Sequence, residues 1–168
     1  IDPAPTVAGM RAVVERLLHT DGVDAAMRHY LTDYRALLPE MPIEVADGHP
    51  VLAPATAYSA VRRNVEQPAL YAVFPFRLYG IGKPELALAR DTFWREVTLA
   101  GADRPFRIGE TPGAPSYSGW QYVGVCAALL GMADKAGEIL AENCALRNPG
   151  TRFPAMWGPI YDAVPDTD

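Results

Sequence analysis

Sixteen prolines stand in these 168 residues, and they cluster between apolar segments of helical period rather than forming a low-complexity tract. Proline lacks a backbone N–H and clashes with the preceding helical turn, so it ends helices and stiffens loops. The chain must therefore fold as short helices joined by long, stiff, specific connections. Its length fits a single domain, residues 1–168, with a sizeable core.

The helical segments come in pairs. Val7, Met10, Val14 and Leu17 recur at helical spacing. Asp21 is placed to cap a second helix carrying Val23, Met27, Tyr30, Tyr34 and Leu37, which Pro39 and Pro42 stop. The short link predicts an antiparallel helical hairpin. Asp47-Gly48 between apolar pairs predicts a small β-hairpin, an ornament on a helical body. Leu70, Phe74 and Leu78 read as a short helix or, because Pro75 interrupts them, an extended segment. Pro84 and Glu85 suit the first turn of a helix whose buried stripe is Leu86, Ala89, Phe93 and Val97, ended by Gly101. Ser118 can cap a helix through Leu130, closed by Gly131. Asp134 can cap its partner, which carries Ile139, Leu140 and Asn143. About six helices result, with long loops before Leu70, before Ser118 and after Arg147. The expected class is all-α, with paired antiparallel helices arranged as part of a toroid whose loops share one face.

Charge and composition narrow the function. A net charge of -5 and no basic run argue against nucleic acid or an anionic membrane as partner. Mean hydropathy is near zero, and no apolar run approaches a membrane span. No signal-peptide pattern is present, so the compartment is not legible, and the opening Ile1-Asp2-Pro3 reads as a cut end. Cys126 and Cys144 are expected as buried thiols, with a disulfide between paired helices as the alternative. His19, His29 and His49 are scattered, so neither a His-based metal site nor a His-driven nucleophile is expected, and no cofactor is expected.

Four segments hold chemistry. Asn64-Val65-Glu66-Gln67-Pro68 sets a carboxylate beside two amides. The run Tyr71 to Gly80 reads mostly as core, yet Arg77 inside it calls for a carboxylate partner. Ser116 to Gln121 places Trp120 as a sugar platform or a core residue. Arg152 to Asp168 combines Trp157 and Tyr161 with Asp162, Asp166 and Asp168 in a Pro- and Gly-broken loop. These acids suit a general base, hydrogen-bond partners, solvated loop positions or, as a minor option since they do not fit the EF-hand pattern, ligands of a structural calcium. Glu and Asp with aromatics, and without catalytic His or Cys, match glycoside hydrolysis.

Val51 to Ala55, Asn64 to Gly80, Gly119-Trp120 and Arg152 to Asp168 together resemble large bacterial proteins similar to the family 95 glycoside hydrolases, the α-L-fucosidase and α-L-galactosidase family. The resemblance implies the later half of an (α/α)6 barrel and an inverting mechanism with a Glu acid and an Asp base. It places the base at Asp166, with Asp168 second, and the acid at Glu66, although the family's usual Gln-Glu-Trp context is absent. Asn64, Arg77, Trp120, Trp157, Tyr161 and Asp162 would shape the site for an oligosaccharide or glycoside. Half a barrel would leave helical faces open to self-association or to the rest of the barrel. A non-catalytic helical module binding glycan or a protein partner is the alternative reading.

Overall fold

The computed structural model describes residues 1–59, 67–102 and 122–145, without the side chains of residues 98–102 and 142–145. Within them the chain is mostly helical, with one two-stranded antiparallel hairpin. The order is α1 (Ala4–Leu18), α2 (Ala25–Leu37), β1 (Ile43–Ala46), β2 (His49–Leu52), a 3₁₀ turn (Pro68–Ala72), α3 (Leu86–Ala102), α4 (Val123–Leu129) and α5 (Ala133–Ala145).

The first helical hairpin is held by two arginines that cap the partner helix's carbonyl end. Arg11 of α1 donates to Pro39 O at 2.7 Å and Leu38 O at 3.3 Å, and pairs with Glu40 at 2.8 Å. Arg28 of α2 donates to Leu18 O, and to Thr20 O at 3.2 Å. A cation at a helix C-terminus satisfies orphan carbonyls and complements the dipole. The N-cap of α2 is Asp24, whose carboxylate accepts from Met27 N at 2.8 Å, and not Asp21. Capping three residues later leaves the link free to wrap around Arg28. The expected apolar stripe of α2 also faces differently. Leu31 and Leu38 are buried against Val14, while Met27, Tyr30 and Leu37 are exposed. Only one face of α2 meets α1, and the arginine clamps fix which.

Asp47 and Gly48 both have positive φ, 51° and 82°, which is the two-residue turn that matches strand twist. Ile43 pairs with Leu52 and Ala46 with His49. The hairpin is no ornament. Val51 and Leu52 are buried, and β2 lies along α3, where Leu52 N donates to Thr92 Oγ1 at 2.8 Å. The same hydroxyl donates to Leu88 O at 2.8 Å, so Thr92 links strand to helix from a fully buried position. Thr92→Val should destabilise the chain by about 1–3 kcal/mol, because a buried N–H loses its acceptor. Urea unfolding with amide exchange at Leu52 measures it. Unchanged stability with a still-protected Leu52 amide would refute this bond.

Two larger cores meet at the 3₁₀ turn. Three residues per turn put positions i and i+3 on one side. Leu70 and Val73 therefore enter the core with Ala89, Phe93, Cys126, Leu130 and Ile139, while Ala69 and Ala72 enter that with Val7, Leu52 and Leu88. Helix α3 is shared in the same way, Leu88 to one core and Phe93 to the other. Helix α2 packs on α1, α1 on the 3₁₀ turn, that turn on α3, α3 on α4, and α4 on α5, so α2 lies outside the array on the far side of α1.

The helix ends differ from expectation in detail. Pro84 and Glu85 precede α3, and Glu85 has a φ of 54°, outside the helical region. Gly101 falls within α3, which runs to Ala102. Gly131 closes α4 as expected: its N–H bonds Ala128 O at 3.1 Å, and Met132 N bonds Ala127 O at 2.9 Å. Asp134 lies inside the first turn of α5 rather than capping it, and there it favours the helix dipole. Ser118 lies outside the described residues. Cys126 is a free, buried thiol that burial pushes up to about 12, so it stays protonated and inert.

Candidate functional site

Of the residues expected to form a site, Arg77 is described; Asn64, Glu66, Trp120, Trp157, Tyr161, Asp162, Asp166 and Asp168 lie outside the described residues. The local fold around Arg77 follows from residues 67–85. After the 3₁₀ turn the chain coils back on itself. Phe76 N donates to Tyr71 O at 3.2 Å, Arg77 N to Val73 O at 3.2 Å and Leu78 N to Ala72 O at 2.8 Å. Phe74, Phe76 and Tyr79 are half-buried against the two cores, so the aromatic run is core lining. Phe74 also meets Tyr122, with ring centroids 4.9 Å apart.

Arg77 points away from that packing. It has a φ of 57°, its side chain is exposed, and no carboxylate pairs with it among the described residues. The left-handed backbone turns Arg77 out of the face on which Phe74 and Phe76 pack, which is why an arginine in an aromatic run needs no buried counter-charge here.

The turn ends on a close backbone approach. Gly80 has a φ of 151°, and a Cβ there would come within 2.9 Å of Leu129 O. Ile81 N donates to the same oxygen at 2.9 Å, which pins the turn to the end of α4. A cleft of about 130 Å³ lies along this junction, with Arg77, Tyr79, Gly80 and Lys83 on one side and Ala128 and Leu129 on the other. Gly80→Ala should destabilise by about 1–3 kcal/mol, through strained backbone and a contact no rotamer relieves. Equal urea midpoints for the variant and the parent would contradict the close approach.

Burial pushes the Tyr79 hydroxyl above its usual range; the carboxylates of Glu85 and Glu40 add to the rise and Arg11 opposes it. The phenol is a neutral donor at ordinary pH. Gln67 opens the segment. Its side chain is 6% exposed, and no acceptor reaches its Nε2 among the described residues. Neither the buried Gln67 nor the Arg77 and Lys83 pairing was anticipated from the sequence. The Gly80-Ile81-Gly82-Lys83 run, two glycines bracketing a turn before a lysine, is the signal that could have shown the second.

Among the described residues no three His, Cys, Asp or Glu side chains converge as metal ligands would, and no helix is long and apolar enough to cross a membrane. No family model, curated protein or solved structure matches the chain.

Proposed function

We propose that this chain is the helical part of a carbohydrate-active protein that cleaves a glycosidic bond with inversion. Asp166 serves as general base, Asp168 as its alternate, and Glu66 as general acid. The observation that carries this reading is the pairing of consecutive helices. Two hairpins, α1 with α2 and α4 with α5, are the kind of unit from which an (α/α) toroid is built. The Leu70 to Gly80 run, on which the resemblance chiefly rests, feeds both cores. Gln67 adds local support. A buried donor that finds no acceptor among the described residues is costly and calls for a polar partner, and this one directly follows Glu66.

In this mechanism the acid protonates the leaving oxygen while the base activates water on the opposite face of the sugar. The two carboxyl groups then stand roughly 6.5–9.5 Å apart. Trp120, Trp157 and Tyr161 offer aromatic faces to the ring, and Asn64, Arg77 and Asp162 offer polar contacts. The test is Asp166→Asn in the intact protein containing this chain, assayed on a panel of glycosides while folding is followed by circular dichroism. Loss of turnover with the fold intact supports the assignment, and unchanged turnover removes Asp166 as base.

A second reading, a non-catalytic module binding glycan or a protein, is favoured by the exposed apolar stripe of Met27, Tyr30 and Leu37 on α2. Affinity for glycan without hydrolysis in the intact protein would select it.

A further inference from the structure

The cleft between the 77–83 turn and the end of α4 is lined by two basic side chains that no carboxylate pairs with among the described residues. They are Arg77 and Lys83, and both are exposed. Arg90 stands at its flank, with Nε donating to Leu130 O at 3.0 Å. Glu85, near Tyr79, is the opposing carboxylate on this turn.

The end of a helix normally repels anions through its free carbonyls. Here those carbonyls are occupied. Ala127 O and Ala128 O accept from Met132 N and Gly131 N, Leu129 O accepts from Ile81 N, and Leu130 O accepts from Arg90. The wall formed by Ala128 and Leu129 is thus closer to apolar than to negative. Concave surfaces with unpaired charge of one sign concentrate counter-ions, and guanidinium presents a fork that matches an oxyanion.

We infer that this cleft binds one small oxyanion group, a carboxylate, sulfate or phosphate, with Arg77 and Lys83 as charged anchors. Its 130 Å³ far exceeds the roughly 10–15 Å³ that one water needs, so a group of several atoms enters. The inference does not depend on the glycosidic reading: Arg77 is named in both, but this one is read out by binding of a small anion rather than by turnover.

The test is titration of the 168-residue chain at low ionic strength with inorganic phosphate, inorganic sulfate and glucuronate in separate arms, followed by amide chemical shifts. Saturable shifts at Gly80, Ile81 and Lys83 with at least one probe are expected, and the strongest arm identifies the oxyanion. Arg77→Gln and Lys83→Gln should each weaken binding about tenfold, as loss of a charged hydrogen bond does. Together they should abolish it, and Arg77→Lys should fall between. All these side chains are exposed, so the variants keep the fold. No saturable shift with any probe, or equal affinity in the double variant, overturns the inference.

Discussion

Phe93→Ala should lower the unfolding free energy by about 3–5 kcal/mol, the range for truncating a buried aromatic. Phe93 is fully buried in α3 and meets Trp94 edge to face, with ring centroids 5.4 Å apart. It lies in the core that joins the 3₁₀ turn, α3, α4 and α5, so four elements lose contact at once. Collapse into the space is hindered, since Ala89 and Ala127 already bring the neighbouring backbones close. Urea unfolding monitored by circular dichroism measures the change. Leu140→Ala is the control: that residue is 64% exposed, and its loss should stay within about 0.5 kcal/mol. A loss below about 1 kcal/mol at Phe93 would mean that this core is not the stabilising one.

Asp166→Asn in the intact protein should reduce turnover by roughly 10²–10⁴-fold, the usual contribution of general acid or base catalysis. Asparagine keeps the shape of aspartate and loses its capacity to accept a proton from water, so binding should change little. Glu66→Gln should be costly only where the leaving group needs a proton. Its loss should be large on alkyl glycosides and small on aryl glycosides with an acidic phenol. That contrast separates acid from base. If both variants fail equally on both substrate types, the assignment of Glu66 is wrong.

The helices α1, α2, α3 and α5 were legible because their apolar periodicity extends over several turns. The β-hairpin was legible because Asp47-Gly48 accepts the two left-handed conformations its turn demands. Boundaries were less so. Asp21 and Asp24 offer the same capping chemistry a turn apart, and the choice rests on Arg28 reaching Leu18 and Thr20 across the hairpin. Glu85 was read as helical, yet it takes a positive φ in the turn whose Gly80–Ile81 end is pinned at Leu129. Such a pin involves residues nearly fifty positions apart, and no local pattern contains it. At the candidate site the residue types were legible and their exposure was not: Arg77 reads as embedded among aromatics and stands outside them.

Where the longer helices form, and where Pro39 and Gly131 stop α2 and α4, are properties of short stretches and can be read from the residues alone. The tertiary structure decided that the β-hairpin is core, since Thr92 supplies the acceptor that Leu52 lacks within its strand. It decided that the Met27, Tyr30 and Leu37 stripe faces outward, since one face of α2 meets α1 and two arginines fix its rotation. It also brought Arg77 and Lys83 to the same cleft, because Gly80 alone lets the turn approach Leu129 closely enough to form one.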